Sequence, residues 1–257
     1  MAYFLTNEAL LGAKIQKMDQ RTVNTKAGET MTILNIKMVA DKPISEKAKV
    51  FADVKMLGQS ADSFAKFHKV NDKALISGPL HVEQYETKDG RKRRSYTIDA
   101  NSWSFFDNDA PDINEIALQG RLVGDPEVGE KVTSFTIAVD RPGKEDVKDF
   151  VRCALFGPAR ELTGPKGEPL NLTQGCMIRI KGVINSNTYE RTLETGETEK
   201  IYSLEVNSDT PKSVALVSRP KGTGSGSAAA PVAATSTATT PDADAKAWEE
   251  LTDDIPF

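Results

Sequence analysis

The sequence predicts an all-β protein, with two copies of one small strand-built domain in tandem and then a flexible tail. Three observations carry that prediction. Residues 1–218 repeat themselves at a spacing of 99 to 107 residues, too long for a solenoid unit and suited to two small domains. Inside each copy, apolar and polar residues alternate with period 2, the signature of half-buried strands. Beyond Arg219 the composition changes abruptly to Gly, Ala, Ser, Thr and Pro.

The repeat holds its order throughout. Glu8-Ala-Leu-Leu aligns with Glu115-Ile-Ala-Leu, Lys14-Ile15 with Arg121-Leu122, and Thr32-Ile-Leu-Asn-Ile36 with Thr133-Ser-Phe-Thr-Ile137. Asp41-Lys-Pro43 aligns with Asp140-Arg-Pro142, and Phe51 and Gly58 with Phe150 and Gly157. Gly78, Tyr85, Gly90 and Tyr96 then match Gly182, Tyr189, Gly196 and Tyr202. In the second copy the strands are Ile116–Leu122, Ser134–Val139, Phe150–Phe156, Cys176–Lys181 and Tyr202–Val206, separated by Gly, Pro and Asp/Asn clusters. Lys88-Asp-Gly90 and Glu194-Thr-Gly196 read as hairpin tips. Gly58–Val70, with Phe64 and Phe67 at helical spacing, predicts one short helix; its counterpart Gly157–Leu172 is broken by Gly164, Pro165, Gly167 and Pro169. About five strands per ~100 residues with one optional helix suit a closed barrel of the OB type or a sandwich.

Composition removes several function classes. Of 257 residues, 39% are hydrophobic and 27% charged. Two cysteines, Cys153 and Cys176, make no disulfide scaffold and no zinc spacing, and two histidines make no His-based metal centre. The cysteines read as small buried hydrophobes, and His68 and His81 as structural or surface residues. No GxxxxGK[ST], GxSxG, HExxH or paired-carboxylate pattern occurs, so the chain is read as a non-enzyme without cofactor or metal. With no 18-residue apolar run, and no charged n-region in Met1–Leu11, a soluble, cytoplasmic protein is expected. The net charge of −4 conceals a gradient. Residues 1–110 carry 17 basic and 14 acidic side chains, residues 111–218 carry 13 and 17, and the remainder 3 and 6.

The chemistry lies on one strand face. In Phe150-Val-Arg-Cys-Ala-Leu-Phe156, Val151, Cys153 and Leu155 point to the core, leaving Phe150, Arg152, Ala154 and Phe156 on the outer face. Two aromatics and an arginine on a solvent face are costly unless something stacks on them, and nucleic-acid bases do. Tyr189 and Arg191 repeat the pairing. The first copy offers Phe51, Lys55 and Leu57, then Tyr85, then Arg91 and Arg93 within the densest basic run of the chain.

The chain ends on Trp248-Glu-Glu-Leu-Thr-Asp-Asp-Ile-Pro-Phe257, an acidic stretch with an aromatic at each end, behind the tether Gly222–Asp244. Such a tip suits a basic-rimmed apolar pocket on a partner, filled by Phe257. Asp253-Asp-Ile-Pro-Phe257 behind a low-complexity tether resembles the tail of bacterial single-stranded DNA-binding proteins. Asn114–Glu127, Leu155-Phe-Gly157, and Lys181-Gly182 with Tyr189 are similar to blocks of their OB domain. Two copies per chain resemble the Deinococcus and Thermus branch of the family, whose chains dimerise to present four OB domains. The resemblance implies two tandem five-stranded OB barrels, residues 1–110 and 111–218, a linker 219–247 and a partner-binding tip 248–257. It implies a homodimer that binds single-stranded DNA without sequence preference in replication, recombination and repair. It puts stacking at Phe51, Tyr85, Phe150, Phe156 and Tyr189 and implies a nucleoid-associated location. Beside those rings, phosphate contacts are expected from the basic residues Lys55, Arg91, Arg93, Arg121, Arg152, Lys181 and Arg191. Partner recruitment falls to Trp248, Asp253, Asp254, Ile255, Pro256 and Phe257. Two departures stand out: Leu57 replaces a family phenylalanine, and Asp53 occupies a place where a cation would suit DNA. The rival reading is an OB-fold protein-interaction hub that binds nucleic acid only incidentally.

Overall fold

The computed structural model describes residues 7–24, 28–42, 45–86, 92–144, 146–164, 166–192 and 198–220. The chain divides after Lys221, and everything beyond lies outside the described residues. The first copy is built from β1 (Asn7–Asn24), β2 (Thr30–Lys42), β3 (Ser45–Leu57), α1 (Gly58–Phe67), β4 (Lys73–Gly78), β5 (Leu80–Glu86), β6 (Lys92–Asp99) and β7 (Ser102–Phe105). The second has β8 (Ile113–Leu122), β9 (Glu127–Val128), β10 (Val132–Asp140), β11 (Lys148–Phe156), β12 (Met177–Thr192), β13 (Thr198–Ser208) and β14 (Val214–Ser218). The expected all-β fold is observed, and each copy closes as a five-stranded barrel. In the second copy β8 pairs with β10 and β12, β12 with β13, β13 in parallel with β11, and β11 with β10. Both predicted hairpin tips lie outside the described residues, between the paired strand ends Glu86↔Lys92 and Thr192↔Thr198.

Period-2 alternation produces this arrangement directly. Ile116, Leu118, Ile137, Val139, Val151, Cys153, Leu155, Ile178, Ile180 and Val206 all point inward and are buried. Their counterparts in the first barrel include Leu11, Ile36, Met38, Val54, Met56, Ile76 and Ile98. Both cysteines are fully buried, and burial, reinforced by the Glu205 charge, pushes the Cys153 thiol well above its ordinary range. The two copies differ where sequence breaks the pattern. Pro79, which has no N–H to give a ladder, separates β4 from β5, whereas Val183 at the matching place lets β12 run unbroken for 16 residues. The helix α1 buries Ala61 and Phe64, while its counterpart is a 3₁₀ turn at Gly157–Glu161 with a proline in its first turn. His68 just beyond α1 stacks on Phe64 at a centroid separation of 4.3 Å. Burial lowers its pKa, so it serves as a neutral aromatic ring.

The repeated glycines have two physical reasons. Gly58 and Gly157 turn the chain out of the third strand of each barrel at φ 58° and 50°, in the left-handed region. Gly78 and Gly182 sit where barrel strands approach most closely. A Cβ on Gly78 would lie 2.1 Å from the Asp99 carbonyl oxygen, and one on Gly182 2.3 Å from that of Asn207.

The two barrels join through an antiparallel ladder between β1 and β8. Ala9 pairs directly with Ile116, its own repeat equivalent, and Asn7↔Leu118 mirrors Leu11↔Asn114 about that point. The ladder therefore has local two-fold symmetry. Asn7 donates from Nδ2 to the Leu80 carbonyl (2.8 Å) and accepts from the Leu80 N–H (2.9 Å). Asn114 makes the same two bonds with Ile184, at 2.8 and 2.9 Å.

A second contact breaks the symmetry. Asp149 of β11, with a side chain 0% exposed, accepts from the Val82 N–H of β5 (2.8 Å) and from Arg141 Nε (3.2 Å) and Nη2. His81 Nδ1 lies 2.9 Å from its Oδ2; an ionised carboxylate has only lone pairs, so Nδ1 is the donor. Arg141 Nη2 also donates to the Val82 carbonyl (3.1 Å). Burial by itself would raise the Asp149 carboxyl, but the bonds from His81, Arg141 and the Val82 N–H outweigh it and hold the carboxyl below its ordinary range. At the equivalent place in the first barrel stands Val50, buried and apolar.

Two outcomes are expected. Gly182→Ala and Gly78→Ala each lower the urea unfolding free energy by about 1–3 kcal/mol, because backbone rather than a side-chain tip must yield. Asp149→Asn costs about 3 kcal/mol at pH 7, since it leaves Arg141 without its charge partner. A depressed carboxylate contributes above the unfolded aspartate pKa of about 3.9 and loses its contribution as pH falls through the folded value. The gap between wild type and Asp149→Asn in urea titrations therefore narrows below about pH 4.

Candidate nucleic-acid interface

The strand β11 divides as expected. Val151, Cys153 and Leu155 are in the core, Phe150 and Arg152 are half-buried on the outer face, and Phe156 is 39% exposed. Their cross-strand neighbours on β10 are small: Ala138 beside Phe150, Thr136 beside Arg152 and Ser134 beside Ala154. Large rings beside small neighbours leave a broad apolar floor. Phe150 and Phe156 are six residues apart, about 20 Å along a strand.

Arg121 joins this floor. It pairs with Ala138, which pairs with Phe150, so Arg121, Ala138 and Phe150 form one row across β8, β10 and β11. Two strand spacings put about 10 Å between the outer backbones of that row. Arg121 Nη1 donates to the Gly175 carbonyl at 3.2 Å and remains exposed. Arg152 Nε lies 3.3 Å from Glu205 Oε1, a carboxylate mostly shielded from solvent, so a phosphate would have to exchange with that partner. Lys181 is exposed but pairs with Ala117, which in turn pairs with Glu8 of β1. It lies on the sheet that spans the barrel join, away from the Phe150 row.

The first barrel reproduces the row. Lys14 pairs with Val39 and Val39 with Phe51, matching Arg121, Ala138 and Phe150 position for position. Phe51 is 44% exposed, Leu57 is also exposed, and Lys55 is half-buried beside Asn35. Asp53 is answered across the strand by Lys37 at 3.6 Å. Beyond Lys14, β1 continues past the point where β8 stops, and it places Lys17 and Arg21 in exposed positions opposite Lys37 and Ile33 of β2. Opposite Ser134, the counterpart of Asn35, stands Glu127, as Asp19 stands opposite Asn35. The first barrel therefore has fewer outer aromatics on this face and more cations than the second. Lys14, Lys17, Arg21 and Lys37 were missed in the sequence reading; the alignment of Lys14-Ile15 with Arg121-Leu122 was the signal that could have found the first.

Other expected site residues are placed only by backbone register. Tyr85 pairs with Arg93 in the β5–β6 ladder, and Tyr189 and Arg191 pair with Ile201 and Glu199 in the β12–β13 ladder. Their side chains, Arg91, and the tip residues Trp248, Asp253, Asp254, Ile255, Pro256 and Phe257 lie outside the described residues. A separate aromatic cluster was not anticipated. Phe67 and Phe105, the latter 69% exposed, gather with Trp103 and His68 where α1 meets β7. In the second barrel the β7 positions Trp103 and Phe105 become Val214 and Leu216 of β14, as the pairings of Ile76, Ala74, Ile180 and Ile178 show. Among the described residues no group of His, Cys, Asp and Glu could hold a metal ion, and no helix is long and apolar enough to cross a membrane.

Comparison with known proteins agrees with this architecture. Over 84 residues the chain is 34% identical to a single-stranded DNA-binding protein of Clostridium perfringens, covering 30% of this chain and 53% of that one. It is 38% identical over 95 residues to one of Thermotoga maritima, covering 33% and 62%. The chain thus spans little more than half the length of these relatives. The wild-type single-stranded DNA binding protein of Thermus aquaticus superposes with a TM-score of 0.58 at 17% identity, covering 86% of this chain and 96% of that one. A deletion mutant of the same Thermus protein gives 0.56 at 16%, with coverage of 85% and 97%. At those identities the superposition speaks for the fold, two barrels in one chain. The profile of the Single-strand binding protein family matches twice, over residues 7–106 and 113–213, and the chain belongs to that family.

Proposed function

We propose that this protein binds single-stranded DNA without regard to sequence, through the outer faces of both barrels. One observation carries the reading: the same cation–small residue–phenylalanine row occurs on both barrels, Lys14–Val39–Phe51 and Arg121–Ala138–Phe150. Rings on such a floor stack any base, because every base has a π-face, and the flanking cations meet the phosphates. Phe51, Tyr85, Phe150, Phe156 and Tyr189 are the stacking residues. Lys55, Arg91, Arg93, Arg121, Arg152, Lys181 and Arg191, joined now by Lys14, Lys17, Arg21 and Lys37, supply the charge. The relatives' names and family membership support the same reading. We further infer domains at 1–110 and 111–218, a cytoplasmic homodimer presenting four barrels, and a tip that recruits replication, recombination and repair proteins through Trp248 and Asp253–Phe257. No catalysis is assigned.

The second reading, an interaction hub, draws on the exposed Phe67 and Phe105 cluster, which lies on α1 and β7 rather than on the outer faces of β3 or β11. One variant separates the two. Phe150→Ala with Phe156→Ala removes two stacks, so affinity for oligo(dT) is expected to fall by about 2–6 kcal/mol, at least roughly thirtyfold in Kd. Unchanged affinity in that variant favours the hub. The cations give an independent check by salt titration. Each phosphate contact adds about 0.7 to the slope of log K against log salt for a single strand, so Lys14→Ala with Arg21→Ala should flatten it by about 1.4.

A further inference from the structure

The buried cluster of Asp149, Arg141 and His81 is left unused by the stacking faces, and its location gives it a role. Among the described residues, β5 ends the strand order and has β6 as its one ladder partner. The Val82 N–H and C=O would otherwise face away from that ladder. Asp149 takes the N–H and Arg141 takes the C=O, so a carboxylate–guanidinium pair from the second barrel stands in for a neighbouring strand of the first. Also facing it are His81, which is bonded to Asp149; Asp99, whose carboxylate lies 3.4 Å from His81 Nε2; and Glu83, whose charge acts on Arg141. Each end of the cluster is one short step from a nucleic-acid residue. Asp149 immediately precedes Phe150, and Val82 is three residues before Tyr85 on the same strand.

We propose that Asp149 and Arg141 are positioning residues for nucleic acid. By tying the root of the β5–β6 ladder of one barrel to the root of the Phe150 strand of the other, they hold the two stacking surfaces in one register, so that a single strand engages both. The symmetric alternative was available and is not used, since Val50 precedes Phe51 where Asp149 precedes Phe150. Among the described residues the carboxylate–guanidinium clamp occurs on this side, where it sets the spacing of one particular pair of surfaces, Phe150 with the Tyr85 strand. This inference rests on the proposed DNA binding.

The test compares two oligo(dT) lengths on the full chain. One of about 10 nucleotides fits a single barrel, and one of about 25 needs both. Linking two sites raises affinity only if their geometry lets one strand reach both, so the clamp should matter to the long oligonucleotide alone. Asp149→Asn and the milder Arg141→Lys, which keeps the charge but loses the planar fork, are titrated beside wild type. Expected is a loss of about tenfold in affinity for the long oligonucleotide in Asp149→Asn, a smaller loss in Arg141→Lys, and no change for the short one. A merely stabilising contact would lower the melting temperature and leave the ratio of the two affinities as in wild type, and that result overturns the proposal. Wild type binding neither oligonucleotide overturns the DNA reading itself, and the clamp's role with it.

Discussion

The ladder between β1 and β8 is the constraint on which the rest depends. Six residue pairs, five of them symmetric about Ala9↔Ile116, convert two barrels into one continuous sheet. The pairing leaves little freedom, because a one-residue slip would turn Leu11 and Leu118 out of their cores and Leu10 and Ala117 into them. The asparagines at the ends of the ladder reinforce it. Each satisfies both backbone groups of a residue in its own barrel, Leu80 or Ile184, and so locks β1 to β5 and β8 to β12 next to the join. Everything on the outer faces inherits its position from this register, including the two cation–phenylalanine rows.

A duplicated chain need not keep its halves identical, and the differences here have physical consequences. The first barrel has the basic arm of β1, with Lys14, Lys17 and Arg21, but Leu57 where the second has Phe156. The second has two phenylalanines and two arginines, one of them held by Glu205. Stacking thus weighs more in one barrel and charge in the other. Because charge contacts fade with salt and stacking does so far less, the proposed binding predicts that the two barrels divide the work differently as ionic strength changes. The join is unequal as well, with a buried ion pair on one side and Val50 on the other.

Much of this was legible in the sequence, and the boundary of what was legible has a physical cause. Alternation is a local property, so the inward set of β11 and the outer trio Phe150, Arg152 and Phe156 could be read from the seven residues Phe150–Phe156. The repeat located equivalent positions with exceptions, as in the second strand, where the ladders match Asn35 rather than Ile33 with Ser134. Gly58 with Gly157 and Gly78 with Gly182 proved to mark equivalent geometry. Rows across strands were harder. That Arg121 stands beside Phe150 depends on the registers of β8, β10 and β11, which join residues 29 positions apart in sequence. The Asp149 cluster was invisible for the same reason, since Asp149 meets His81 across 68 positions and two domains. His81 was read as structural or surface from sequence, and only the tertiary contact gives it a carboxylate partner. Val50 in the other copy gave no hint that its counterpart would carry a charge. Phe105 shows the converse: one phenylalanine in a short strand says little until α1 brings Phe67 and His68 beside it.

The central claim is that single-stranded nucleic acid lies on the outer faces of β3 and β11. Photocrosslinking tests it most directly, with oligo(dT) carrying 5-bromodeoxyuridine at single positions, irradiation of the saturated complex and peptide mapping of the adducts. Adducts at Phe51, Phe150 and Phe156, suppressed by unlabelled single strand and not by duplex, are the expected result. Adducts confined to Phe67, Trp103 and Phe105, or none on β3 and β11, would contradict the account, the former moving the binding surface to α1 and β7.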